Sequence, residues 1–291
     1  MTVAERHQRV VRLELRARRV VNHLAPGFYR SSFRGNGTEF QEIREYVAGD
    51  DVRSIDWNVT ARHNKPFVKR FSEERGQTLM ILLDGSASTD FGSGPTRKRD
   101  TIAEVAAVLA SAAIQNQDKV GLIAFGSDVE VFIPPSNNSQ QARRLIREVL
   151  SFEPTKRGTD IGRALRFLDR VVPRRTFAFL ISDFFDNGFE VQCKASAERH
   201  ELIAVSVLDE LETGFPDCGL VTLGDPETDR TLVIDSSDPA VRTAIGQQFQ
   251  LRQSRLSQLL LEAGVDHLRL PAVGDILPPL VRFLRNHAKR A

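Results

Sequence analysis

The sequence predicts an α/β protein in which a mostly parallel β-sheet is covered by helices. From residue 77 onward, short apolar runs alternate with longer segments of helical periodicity, as is typical of parallel strands joined by helices. The chain has 291 residues, of which 41% are hydrophobic, so it can bury a substantial core. The runs are mostly apolar, which indicates strands that are buried on both faces.

Five runs are predicted as buried strands and a sixth as an edge strand. The buried runs are TLMILLD (78–84), VGLIAF (120–125), TFAFLISD (176–183), LIAVSVLD (202–209) and VDHLRL (265–270). The sixth run, VEVFIPP (129–135), ends in two prolines. Because proline cannot donate a hydrogen bond to a neighbouring strand, this run suits the edge of the sheet.

Two helices are predicted between these strands, and a third lies in an insertion. One helix has apolar residues from Ile102 to Ala113 at spacings of three and four. Residues 210–262 are predicted as an insertion, with a hairpin turning at residues 225–229 and a long helix over residues 239–263. The second of the two helices between strands, which precedes the run TFAFLISD, has four apolar residues on one face: Ile161, Leu165, Leu168 and Val172.

An N-terminal extension, residues 1–75, is predicted to precede the main domain, residues 76–291. It begins with an Arg-rich helix over residues 3–24. Residues 1–34 hold eight arginines and two glutamates, whereas the whole chain has a formal charge of only +2. The arginine face is interpreted as solvated, with docking to an acidic partner or to an anionic membrane surface as alternatives. Nucleic acid is disfavoured because no aromatic residues interleave with the arginines of the predicted helix, residues 3–24.

The composition gives no signal for export or membrane insertion. The N-terminus has no apolar core of a signal peptide, and no stretch approaches the ~18 unbroken apolar residues of a spanning helix. The two cysteines, Cys193 and Cys218, form no Cys-x-x-Cys motif. We therefore expect a cytoplasmic protein with reduced thiols.

Oxygen-bearing side chains collect at predicted strand and helix boundaries. Because ligands of such sheets gather at the carboxyl ends of the strands, these side chains are expected to lie close together. Carboxylates and hydroxyls without His or Cys suit Mg²⁺, Mn²⁺ or Ca²⁺, with Mg²⁺ the expected ion. Each group alone is a common turn or helix cap, so it is their joint occurrence that predicts a cation site. The five residues are Asp84, Ser86, Ser88, Thr159 and Asp183.

These motifs also carry a resemblance to known families. D-G-S-A-S, R-G-T-D and L-I-S-D resemble the three loops of the metal-ion-dependent adhesion site of the von Willebrand factor A fold, with the five residues at its ligand positions. Residues 37–62 and the later I-S-D-F-F-D resemble the bacterial family called domain of unknown function 58. The resemblance covers nearly all of residues 30–285. It implies a Rossmann-like von Willebrand factor A fold and a chaperone-like partnership with a MoxR-type AAA+ ATPase.

The charged segment over residues 39–75 has eight acids and seven bases, which favours internal ion pairs over a patch of one sign. It contains no evident nucleophile and only His63 as a candidate base, so it is interpreted as structural or as a partner contact. In the structural interpretation its arginines pair with its aspartates, and Tyr46, Trp57 and Phe67 pin it to the main domain. The residues predicted for partner contact are Arg44, Asp50, Asp51, Arg53, Asp56, Trp57 and Arg62.

The leading functional hypothesis is a protein-interaction module without enzymatic activity, in which a partner's Asp or Glu completes the shell of the bound cation. The alternative is a metal-dependent phosphoester hydrolase that uses the same cation as a Lewis acid. That reaction needs a further acid or a second metal, and the acids adjacent in sequence are Asp90, Asp160 and Asp186. A third hypothesis is a scaffold whose loops bind no metal.

Overall fold

The computed structural model describes residues 8, 10–17, 38–47, 50–63, 65–73, 76–94, 96–224 and 231–288. The strands in this part of the chain are β1 (Thr38–Glu45), β2 (Phe67–Glu73), β3 (Thr78–Asp84), β4 (Lys119–Phe125), β5 (Val129–Ser136), β6 (Phe177–Ser182), β7 (Glu201–Leu208), β8 (Leu220–Gly224), β9 (Thr231–Asp235) and β10 (Asp266–Pro271). The helices are α1 (Trp57–His63), α2 (Lys98–Gln115), α3 (Gln141–Ser151), α4 (Ile161–Val171), α5 (Glu190–Arg199), α6 (Glu210–Thr213), α7 (Pro239–Glu262) and α8 (Leu277–Ala288), besides helical residues 10–17.

Six strands form the central sheet in the order β10-β7-β6-β3-β4-β5. All neighbouring pairs are parallel except β4 and β5, so the antiparallel strand lies at an edge. The predicted fold class, a mostly parallel sheet flanked by helices, is therefore confirmed. Each of the six predicted strands is present, within one or two residues of its predicted ends, and VEVFIPP is an edge strand as predicted.

Apolar strands are required because both faces of the sheet are covered. In β3, Leu79, Ile81 and Leu83 join a core cluster with α2, α3 and α8. Met80 and Leu82 join a second cluster with α4, α5 and α7 on the opposite face. Successive side chains of a strand point to opposite faces, so a strand between two helical layers must be apolar at every position.

A crevice forms where the direction of winding changes between β3 and β6. These strands are neighbours, but α2 after β3 packs into the first core cluster, whereas α5 after β6 packs into the second. The connections after the two strands therefore leave toward opposite faces of the sheet. Crevices of this kind, at the carboxyl ends of the strands, are where α/β sheets bind their ligands.

The insertion predicted over residues 210–262 lies between β7 and β10 and consists of α6, the β8–β9 hairpin and α7. β8 and β9 pair antiparallel, and the predicted hairpin is confirmed, although its turn, residues 225–230, lies outside the described residues. The predicted long helix is confirmed as α7. Leu256 and Leu260 of α7 are buried in the second core cluster, so this helix is part of the main packing.

The N-terminal part of the chain contributes a helix and a small sheet. Of the predicted helix over residues 3–24, residues 10–17 are described and helical. Val10 and Ala17 are buried in the first core cluster, so the described part of this helix packs against the main domain. β1 and β2 pair antiparallel in a separate two-stranded sheet. No helix among the described residues is long and apolar enough to cross a membrane.

Candidate functional site

The carboxyl ends of β3 and β6 bring two carboxylates together. Asp84 is the last residue of β3, and Asp183 follows directly after β6. The two strands pair in parallel with Leu83 opposite Ile181, so both aspartates lie at the same edge of the sheet. Their side chains are buried, with relative exposures of 1% and 2%. Carboxylates are rarely buried this deeply without a compensating charge.

The first loop folds around Asp84. The Ser86 amide donates to Asp84 Oδ1 over 2.9 Å, and Ser182 Oγ donates to Asp84 Oδ2 over 2.5 Å. The hydroxyl oxygens of Ser86 and Ser88 lie 3.0 Å apart. Thr89 donates instead to the Ser86 carbonyl over 2.8 Å and supports the loop. Three of the predicted ligands, from positions 84, 86 and 88, are thus gathered by local hydrogen bonds.

Gly85 is required by the packing beneath this loop. A Cβ atom at position 85 would lie 2.4 Å from a ring carbon of Phe152, much closer than carbon atoms can approach. The Gly85 amide also donates to the Phe125 carbonyl over 2.9 Å, which ties the loop to the end of β4. The glycine of D-G-S-A-S therefore has a steric role, separate from the oxygen-bearing positions.

The second loop reaches the same edge through hydrogen bonds on both sides. The Asp160 amide donates to the Gly126 carbonyl, just after β4, over 2.9 Å. The Ile161 amide donates to Asp186 Oδ2 of the third loop over 2.8 Å. The Asp160 side chain caps the start of α4. Thr159 is half-buried directly before this cap, so its backbone is held between the loops that follow β4 and β6.

The third loop turns sharply after Asp183. Phe184 has a φ of 58°, a left-handed conformation that costs about 1–3 kcal/mol for a residue other than glycine. Its ring is buried in the second core cluster, and its amide donates to Ser182 Oγ over 2.9 Å, which offsets this cost. The Phe185 amide donates to Asp183 Oδ1 over 3.2 Å. The turn thus fixes the orientation of the Asp183 carboxylate.

A buried lysine supplies a counter-charge to Asp183. Lys98, the first residue of α2, places Nζ 2.8 Å from Asp183 Oδ2 and 2.7 Å from Glu212 Oε1. Its side chain is only 1% exposed, and the rings of Phe91 and Phe185 lie 5.7 and 5.3 Å from Nζ. Burial lowers the pKa of Lys98, but the charges of the two carboxylates outweigh this effect and raise it above its usual value. The lysine is therefore charged.

Asp84 is destabilised as an anion by its surroundings. Burial raises the pKa of Asp84 to about 7, and the charge of Asp183 adds to the rise, while hydrogen bonds from Ser182 and Ser86 oppose it. Near neutral pH part of this carboxylate is therefore protonated. A cation near both aspartates would favour the ionised form and lower this pKa.

The side chains at the ends of β3 and β6 fit a hard divalent cation whose ligands include hydroxyl oxygens. Among the described residues, no group of three or more His, Cys, Asp or Glu side chains is placed to hold a metal ion. The first loop instead combines the Asp84 carboxylate with two hydroxyl oxygens, and the Asp183 carboxylate is close enough for its charge to raise the pKa of Asp84. Carboxylate and hydroxyl oxygens suit Mg²⁺ or Ca²⁺ rather than zinc.

Sequence reasoning missed Lys98 and Glu212. Glu212 carries a detectable signal, because Asp209 and Glu212 form the D-x-x-E capping box of α6, in which the Asp209 amide donates to Glu212 Oε2 over 3.0 Å. Lys98 carries none, because a lysine at the start of a helix is ordinarily solvated.

Several charged side chains of residues 39–75 bind partners within the same segment. Arg44 pairs with Asp50 over 2.6 Å, as predicted. Asp56 accepts the amides of Asn58 and Val59 and caps α1. Asp51 and Arg62 are exposed, and the side chain of Arg53 lies outside the described part of the chain.

Trp57 does not pin the segment to the main domain. Its side chain is 67% exposed, so that prediction is wrong for Trp57. Tyr46 and Phe67 are half-buried. The ring of Phe67 lies 5.3 Å from that of His63, a contact within the segment. An exposed tryptophan is compatible with the other prediction made for this residue, contact with a partner.

Comparison with known proteins places the chain in a family. The uncharacterized protein Rv1480 of Mycobacterium tuberculosis is 29% identical over 282 residues, which cover 96% of this chain and 89% of the relative. The magnesium-chelatase 67 kDa subunit of Chlorobaculum tepidum is 33% identical to this chain over 99 residues. These residues cover 34% of this chain and 14% of that subunit. The solved structure of conserved hypothetical protein BatB from Bacteroides thetaiotaomicron covers 74% of this chain and 100% of that chain, with 18% identity and a TM-score of 0.48. A family model described as protein of unknown function DUF58 matches residues 42–255, most of the chain, and the protein therefore belongs to the DUF58 family.

Proposed function

We propose that the protein is a divalent-cation-dependent protein-interaction module, with Mg²⁺ as the expected ion. The observation that supports it most strongly is the buried pair Asp84 and Asp183, which lies beside the hydroxyls of the first loop at the crevice of the sheet. Two carboxylates and three neutral hydroxyls, bound directly or through water, leave such an ion with a coordination position for a partner's Asp or Glu. The proposed ligands, direct or through water, are Asp84, Ser86, Ser88, Thr159 and Asp183.

The proposed partner is a MoxR-type AAA+ ATPase, with the module as its adaptor or co-chaperone in the cytoplasm. The family resemblance supports this partner. The similarity of one third of the chain to a protein that is, by name, one subunit of a larger enzyme agrees with a role in assembly. Cys193 and Cys218 are both free thiols, which agrees with a reducing compartment.

Capture of a purified MoxR-type ATPase on the immobilised protein tests this proposal. We expect capture in Mg²⁺, its loss in EDTA, and its loss in Asp84→Asn, which keeps the shape of the side chain but removes its charge. Asp217→Asn is the matched control, because Asp217 is 65% exposed in the insertion and is not a proposed ligand. Equal capture by the Asp84→Asn protein, or by the wild type in EDTA, would overturn the proposed cation dependence.

A phosphoester hydrolase is the second candidate, and one observation favours it. A carboxyl group whose pKa is raised to about 7, as for Asp84, can exchange protons near neutral pH. The neighbouring acids have structural tasks, however: Asp90 pairs with Arg99 over 2.9 Å, and Asp160 caps α4. We expect no turnover of a phosphoester panel in Mg²⁺ or Mn²⁺, and turnover that is lost in Asp183→Asn would favour the hydrolase.

A further inference from the structure

Lys98 connects the candidate cation site to the insertion. Its ammonium group lies between Asp183, a proposed ligand in the third loop, and Glu212 in α6, the first element of the insertion. The two carboxylates are 85 and 114 residues away from Lys98 in sequence. The Lys98 side chain therefore contacts both the candidate cation site and helix α6 of the insertion.

The ammonium group occupies an oxygen that a cation would need. Asp183 Oδ2 accepts from Lys98, and Asp183 Oδ1 accepts from the Phe185 amide, so both oxygens are engaged. A divalent cation that approaches Asp183 must share or displace the ammonium, and two positive charges at such short range in a buried site repel each other strongly. The lysine therefore opposes binding of the ion.

Glu212 provides a second anchor for the same ammonium group. Glu212 Oε1 lies 2.7 Å from Lys98 Nζ, while Oε2 accepts the Asp209 amide over 3.0 Å. Asp209 is in turn held by the Ser93 amide over 3.0 Å. Lys98 can thus give up its contact with Asp183 without losing every carboxylate partner. This matters because a buried ammonium without a partner is very unfavourable.

We propose that Lys98 is a built-in competitor for the cation at Asp183 and that Glu212 retains its ammonium group when the cation binds. This inference rests on the proposed cation site and adds the residue that sets its affinity. The division of Lys98 between Asp183 and Glu212 then links occupancy of the site to the position of α6. A change that pulls α6 away would leave Lys98 on Asp183 and weaken binding of the ion.

Calorimetric titration of Mn²⁺ into the full chain and four variants tests the inference. Lys98→Met removes the competitor and is expected to tighten Mn²⁺ binding about tenfold or more. Glu212→Gln removes the second anchor and is expected to weaken binding several-fold. Because Glu212 acts through the lysine, the double variant should bind like Lys98→Met alone. Lys119→Met is the matched control, since Lys119 is exposed at the other end of the sheet, and it should bind like the wild type.

The double variant separates competition from simple charge attraction. If Glu212 attracts the ion only by its negative charge, Glu212→Gln will weaken binding equally with and without the lysine, and the inference is wrong. Unchanged or weaker Mn²⁺ binding by a folded Lys98→Met protein would also overturn it while leaving the cation site in place. Absence of binding in the wild type and in every variant would overturn both proposals.

A second substitution of Lys98 keeps the inference testable if Lys98→Met does not fold. If Lys98→Met does not fold, Lys98→Gln takes its place, because the glutamine amide is neutral and can still donate to a carboxylate. The expected direction is the same, tighter Mn²⁺ binding than in the wild type. Binding by this variant with none in the wild type would support the inference, since the lysine would then exclude the ion, but it would contradict the proposed function of the wild type. Weaker binding would contradict it.

Discussion

Replacement of Asp84 by asparagine is expected to stabilise the cation-free protein at pH 8 while abolishing cation binding. Asparagine has the same shape, and its oxygen can still accept the Ser86 amide that now bonds Asp84 Oδ1. The change therefore removes a buried charge with little loss of packing. Residues retained for binding often reduce stability, and Asp84 has the properties of such a residue.

The size of the stabilisation by Asp84→Asn follows from the pKa of Asp84. Burial raises this pKa from 3.8 to about 7, so between these values the unfolded chain releases a proton that the folded protein retains. Stability is therefore lost as the pH rises from 3.8 through 7. At about 1.4 kcal/mol per pH unit, the carboxylate costs on the order of 4 kcal/mol at pH 8 and much less at pH 5. The asparagine variant avoids this cost.

Urea unfolding in EDTA, followed by circular dichroism at pH 5 and pH 8, measures the effect. The Asp84→Asn protein should exceed the wild type in free energy of unfolding, and by more at pH 8. Asp183→Asn is the contrasting variant, because it takes a carboxylate from Lys98 and should destabilise by about 3 kcal/mol. If Asp84→Asn is no more stable than the wild type at pH 8, the account of a destabilised buried anion is refuted.

Three further predictions concern substitutions of Gly85, His267 and Trp57. Gly85→Ala should destabilise by about 1–3 kcal/mol in urea unfolding, because its Cβ would meet the Phe152 ring, and Phe152→Leu should recover part of the loss. Burial, with the charge of Arg269, lowers the pKa of His267 from 6.5 to about 4. Stability is therefore lost as the pH falls from 6.5 toward 4, by up to about 3 kcal/mol, and His267→Gln should lose less over that range. Trp57→Ala should change the free energy of unfolding by less than about 0.5 kcal/mol while weakening capture of the ATPase, and unaffected capture would remove Trp57 from the partner surface.

The strands of the central sheet and the helices α2 and α4 were predictable from continuous or periodic apolar residues, whereas β1 and β2 in the charged segment were not predicted. β3 is apolar at five successive positions, residues 79–83, and α4 carries a regular apolar stripe, so both could be predicted from the sequence. α3 and α8 were not predicted, although Leu145 and Ile146 or Leu280 and Leu284 give them buried faces. α5 offered little signal, because the residues it buries are Cys193 and Ser196 while Val191 is 84% exposed.

The candidate site was predictable as far as its local motifs reach. Asp84 is the last residue of one apolar strand and Asp183 directly follows another, so their meeting at the crevice could be derived from the strand ends. Lys98 could not be found in this way. Its environment depends on Glu212, 114 residues later in an insertion whose position relative to α2 no local pattern encodes.

The most direct test of the central claim is a calorimetric titration of Mg²⁺ and Mn²⁺ into the wild-type protein. The account predicts that one ion binds per chain and that a variant with Ser86→Ala and Ser88→Ala loses this binding while remaining folded. Thr243→Val is the control, because Thr243 is exposed in α7 and its hydroxyl bonds the Pro239 carbonyl of that helix, so it should bind the ion like the wild type. Absence of binding by the wild type, or equal binding by the double alanine variant, would contradict the claim.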